Sequence, residues 1–141
     1  MNLETCLSQH DEDVKQVILR VSEAAKTISR GFAARLGVSD SSNVYGERQA
    51  AMDVWADELL ISALGDSGLV RCLASEEQQG VLTFEGSSSD LGVAIDPLDG
   101  SSLIGVNLTV GTIVGIHGGA SSSPAGICWE PYTSCTGRSR R

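Results

Sequence analysis

A chain of 141 residues, 41% hydrophobic and 20% charged, has room for one modest domain with a real core, and no apolar run in it reaches the length of a membrane span. Its net charge of −8 disfavours nonspecific binding to nucleic acid, although an anion bridged through a metal stays compatible with an acidic chain. With aromatics at 4%, Val, Ile, Leu and Ala must carry most of the packing.

The N-terminal stretch Met1 to Asp13 is polar and acidic, unlike a secretory signal. Asp11 to Leu36 reads as a long amphipathic helix, with Val14, Val17, Ile18, Val21, Ala25, Ile28 and Phe32 at helical spacing. Asp11 or Asp13 suits its start and Gly37 its stop. After a polar loop, Glu47 to Leu64 predicts a second helix whose apolar face is Met52, Trp55, Leu59, Leu60 and Ala63. Asp53 and Asp57 fall on a neighbouring face, and Glu47 lies near the N-terminal end, where the helix dipole alone would account for an acidic residue. Gly65 to Gly68 breaks that helix. Strands are then expected over Leu69–Ala74, Val81–Glu85, Leu91–Ile95 and Leu108–Ile116. Cys6, Cys72, Cys128 and Cys135 are widely spread with no CxxC pair, which suits reduced thiols in a cytosolic protein.

The stretch Asp96-Pro97-Leu98-Asp99-Gly100-Ser101-Ser102 carries the densest chemistry. Pro97 and Gly100 are turn residues, so the chain is expected to leave the preceding strand at Asp96. Two carboxylates on such a turn can point the same way, with the Leu98 carbonyl between them; a plain polar surface turn is the competing reading. Carboxylates and a carbonyl suit a hard divalent cation, while Gly100, Ser101 and Ser102 offer N–H groups and hydroxyls to a phosphate. Ser75-Glu76-Glu77 closes another expected strand and delivers carboxylates in the same manner, a solvated turn again being the alternative. Metal-assisted phosphoester hydrolysis needs several carboxylates converging from separate elements. Glu47, Asp53, Glu76, Glu77, Asp96 and Asp99 are the candidates.

In order and spacing, Gly46-Glu47, Met52-Asp53-Val54, Asp57, Ser75-Glu76-Glu77, the Asp96–Ser102 motif and Val110-Gly111-Thr112-Ile113 resemble class I fructose-1,6-bisphosphatase, within the lithium-sensitive sugar and inositol phosphatase superfamily. The likeness covers roughly residues 12 to 117. It implies an α/β fold, an α+β layered sandwich with long helices packed on a mixed sheet. It also implies magnesium-dependent hydrolysis of the 1-phosphate of fructose 1,6-bisphosphate, with two or three Mg2+ per site and Mn2+ as a substitute. Glu76, Glu77, Asp96 and Asp99 with the Leu98 carbonyl would then bind metal. Asp53 with Glu76 would orient and deprotonate the attacking water, Glu47 would assist, and Asp99 with Gly100, Ser101 and Ser102 would hold substrate at the 1-phosphate. A homo-oligomer, tetrameric in the intact family, is expected, with a sugar bisphosphate as partner and neither nucleic acid nor membrane. The expected location is the cytoplasm, or a plastid if a transit peptide has been removed.

Two features depart from the family. Leu103 and Gly105 stand where it usually has Asn and Asp, and family members continue well beyond the matched stretch. Residues 1–118 are therefore expected to form an incomplete N-terminal domain, and residues 119–141 a degenerate or disordered tail. Sedoheptulose-1,7-bisphosphatase shares the two serines and is one alternative. A non-catalytic fragment that associates with full-length subunits is the other.

Overall fold

The computed structural model describes residues 3–8, 11–36, 44–102 and 109–118, with the backbone alone at 4, 6, 32–36 and 44–50. A short helix α1 (Leu3–Cys6) precedes the long helices α2 (Glu12–Leu36) and α3 (Val44–Gly65). Four strands follow: β1 (Val70–Ser75), β2 (Val81–Thr83), β3 (Leu91–Asp99) and β4 (Gly111–Gly118). They form one mixed sheet in the order β2-β1-β3-β4. β1 runs parallel to β3, while β2 and β4 pair antiparallel at either side. Long helices on a mixed sheet are the layered α+β arrangement that the resemblance implied.

Of the two candidate caps, Asp11 starts α2: its carboxylate accepts the Asp13 N–H at 2.9 Å, satisfying a donor the first turn leaves unpaired. Among the residues of α2 whose side chains are described, Val17, Ala24 and Ile28 are buried, so Ala24 rather than Ala25 takes the inward position. Along α3, Met52, Ala56, Leu60 and Leu64 recur every fourth residue and are all buried. Trp55, Leu59 and Ala63 are half-buried beside them, which makes α3 apolar over more than one face. That breadth follows from its place. α3 packs on β1 and β3 as well as on α2, so it is the middle layer. Opposite it, Val70, Leu73, Val93 and Ile95 complete the core.

The strand expectations hold with shifted bounds, and one of them needs correction. The chain does not leave the sheet at Asp96; β3 continues through Pro97 and Leu98 to Asp99. Asp96 pairs with Ile113 and Asp99 with Gly111, so Pro97 and Leu98 together oppose Thr112 alone. This is a β-bulge, which accommodates a proline without an N–H while keeping the strand paired on both sides. The turn comes afterwards, at Gly100, whose φ of 81° suits a residue without a Cβ. The expected start of the last strand, Leu108, lies outside the described residues, as do 119–141 with their expected tail and both Cys128 and Cys135.

Candidate functional site

Because β1 and β3 are parallel and adjacent, their carboxyl ends reach the same edge of the sheet, where open α/β sheets commonly hold ligands. Ser75 is level with Ile95, and the Glu76 N–H donates to the Ile95 carbonyl at 3.0 Å, carrying the pairing one residue further. Glu76 therefore stands next to Asp96. The two side chains hydrogen-bond, and Asp96 is the foremost cause, ahead of burial, of the upward shift in the Glu76 pKa; Glu77 and Asp99 add to it.

Helix α3 supplies the third side. Burial pushes the Asp53 carboxyl up, and the neighbouring Asp96 charge adds to this, while a hydrogen bond from Ser101 partly offsets both. Glu77 is likewise raised, first by burial and then by Asp53, Asp57 and Asp96. These mutual influences tie Asp53, Glu76, Glu77, Asp96 and Asp99 into one electrostatic group drawn from α3, the end of β1 and the end of β3. Ser101 links the loop after β3 to α3 through the same Asp53. Gly100 and Ser102 flank it on that loop, with Ser102 exposed. Glu47 lies in the first turns of α3, and its side chain is outside the described residues.

Asp57 is a residue that sequence reasoning left without a role. It is 1% exposed, one turn beyond Asp53 on α3. The Ser75 hydroxyl donates to one of its carboxylate oxygens at 2.5 Å, and the Gln78 amide donates to the other. Ser75 Oγ also accepts the Glu77 N–H at 3.3 Å. Asp57 thus fastens the segment bearing Glu76 and Glu77 to the helix bearing Asp53. Its signal in the sequence was the four-residue spacing from Asp53, but its partners lie 18 and 21 residues away.

A divalent cation suits these residues in two respects. The donors are hard carboxylate oxygens, the set magnesium and manganese prefer. Asp53 Oδ1 is buried and has no hydrogen-bond partner among the described residues, an orphaned acceptor that a cation would satisfy. Among the described residues, no three His, Cys, Asp or Glu side chains already close around a common point. Like charges at this density repel, so the group lies together without forming a finished ligand shell.

A sequence profile described as "Fructose-1-6-bisphosphatase, N-terminal domain" matches residues 2–128. Over 112 residues the chain is 48% identical to "Fructose-1,6-bisphosphatase class 1" of Methanocorpusculum labreanum, a match spanning 79% of this chain and 35% of that protein. The protein of the same description from Methanospirillum hungatei is 47% identical over 115 residues, covering 82% and 36% respectively. In three dimensions the chain is similar to the crystal structure of Leishmania major fructose-1,6-bisphosphatase in holo form, with a TM-score of 0.67 and 26% identity over 81% of this chain and 36% of that one. The chain thus spans about a third of the length of the relatives it matches.

Proposed function

Because the chain belongs to the fructose-1,6-bisphosphatase family, we propose that it carries the cation-binding part of a class 1 fructose-1,6-bisphosphatase. That activity converts fructose 1,6-bisphosphate and water to fructose 6-phosphate and phosphate. The observation that supports the reading is the coupled carboxylate group where α3 meets the ends of two parallel strands. Glu76, Glu77, Asp96 and Asp99, with the Leu98 carbonyl, are the residues assigned to hold magnesium, or manganese in its place. When bound, such an ion neutralises phosphoryl charge and acidifies water.

The remaining roles belong to the chain itself. Asp53 is oriented by the Ser101 hydroxyl, and its raised pKa makes its carboxylate a stronger base than an exposed aspartate. Asp53 and Glu76 take the proton of the attacking water, and Glu47 supports them from the start of α3. Gly100, Ser101 and Ser102 offer backbone N–H groups and the Ser102 hydroxyl to the 1-phosphate, beside Asp99. The Leu98 N–H donates to Asp96 Oδ1 at 3.2 Å, which fixes the aspartate at the head of this loop. Residues 1–118 act as the N-terminal unit of a homo-oligomeric, cytoplasmic enzyme. No helix among the described residues is long and apolar enough to cross a membrane.

The test is a chimera in which residues 12–117 replace the matching segment of the Methanocorpusculum labreanum relative, assayed for phosphate release from fructose 1,6-bisphosphate. The chimera should be active with magnesium. Asp96→Asn and Glu76→Gln should each lower kcat by about 10³-fold, as expected when a charged group acting on the transition state is removed. A chimera inactive at every magnesium concentration, or one indifferent to both substitutions, contradicts the reading.

A further inference from the structure

We propose that Thr112 is a positioning residue for the carboxylate site: its hydroxyl locks the bulge that brings Asp96 and Asp99 to one face of the sheet. The inference rests on the cation-site reading above and assigns a part to a residue that binds neither metal nor substrate.

Side chains alternate faces along a strand, so residues three apart in a regular strand point to opposite sides. A regular β3 would turn Asp99 away from Asp96, into the helix-facing core, and would turn Leu98 outward. The observed burial is the reverse. Leu98 is 6% exposed and belongs to the core cluster, while Asp99 is exposed. One extra residue on β3 produces this outcome. Asp96 and Asp99 lie opposite Ile113 and Gly111, which are two apart on β4 and therefore share a face.

The bulge leaves backbone groups that the sheet ladder cannot serve. Pro97 has no N–H, and each stranded group inside a half-buried segment needs a partner. The Leu98 N–H finds Asp96 Oδ1. The Pro97 carbonyl finds the Thr112 hydroxyl, which donates to it at 3.0 Å from the residue opposite the bulge. Thr112 is β-branched and half-buried, so its side chain has few rotamers in which to place that donor. Proline alone permits a bulge; the threonine across from it fixes where the bulge sits. Moving it by one residue would exchange the inward and outward side chains again.

Titration calorimetry of this chain with Mn2+ tests the proposal without relying on turnover. Thr112→Val keeps the shape and removes the donor, Thr112→Ser keeps the donor, and Ile116→Ala loosens the same strand by packing alone. Thr112→Val should weaken Mn2+ binding about tenfold or more, the scale seen when a group supporting metal ligands is lost. Thr112→Ser and Ile116→Ala should stay close to the unsubstituted chain even where their melting temperatures fall. If Thr112→Val does not fold, Thr112→Ala carries the same comparison. Unchanged affinity in the variant lacking the hydroxyl, or equal losses in Thr112→Ser, overturns the positioning role while leaving the site reading intact. Absence of Mn2+ binding by the unsubstituted chain overturns both.

Discussion

Glu76 and Asp96 set the electrostatic character of the molecule, because two carboxylates in hydrogen-bond contact cannot both be charged cheaply. Asp53, Glu76 and Glu77 are all pushed above the ordinary carboxylate range, so the folded chain retains their protons to higher pH than the unfolded chain does. Linkage then fixes the sign. In the window from the ordinary glutamate value of 4.5 up through the raised values, the folded state binds more protons, and stability falls as pH rises. Glu12 and Glu23 shift downward, through hydrogen bonds from Gln16 and Lys26 respectively, and act in the opposite direction. Both are fully exposed, and such surface pairs contribute little. In EDTA, the melting temperature followed by circular dichroism should therefore decline as pH is raised through this window. Saturating magnesium should flatten the decline, because a cation takes the place of the retained protons. A melting temperature that rises with pH in EDTA, or identical slopes with and without magnesium, would contradict the coupling.

Helices α2 and α3 come close together at Gly31. A Cβ at Gly31 would press into the Trp55 indole, with ring atom Cζ3 only 2.8 Å away, so α2 can lie this near α3 only with glycine there. Gly31→Ala gains about 1 kcal/mol of helix propensity but incurs an overpacking cost of about 1–3 kcal/mol against a rigid ring. The collision should win, lowering the melting temperature by several degrees; a rise would mean that α2 slides freely on α3. Neither this contact nor the bulge could be read from the sequence, although the elements themselves could. Periodicity located α2 and α3, short apolar runs located β1 and β3, and a β-branched run located most of β4, because those signals arise within one segment. Pro97 and Gly100 read as an exit from the strand, since the pairing that keeps Pro97 in the sheet comes from Thr112, 15 residues on. Asp57 stayed without a role for the same reason. Its burial is offset by Ser75 and Gln78, 18 and 21 residues away, which the packing of α3 on β1 brings to it. The carboxylates of the candidate site were legible as residue types at strand ends; their coupling required the strand order.

Taken whole, the molecule is a layered scaffold whose parallel pair and middle helix bring negative charge to one edge. An acidic chain that gathers carboxylates there works against itself electrostatically, and a bound cation is the simplest relief. The edges of the described sheet remain open. β4 has no outer neighbour among the described residues, and Ile113 is 56% exposed on it. Crystals of this chain grown with Mn2+ and measured at the manganese absorption edge provide the most direct test. Anomalous peaks should lie between the ends of β1 and β3, within ligating distance of Glu76, Glu77 and Asp96. Manganese bound elsewhere, with Asp53, Glu77 and Asp96 facing apart, would contradict the site.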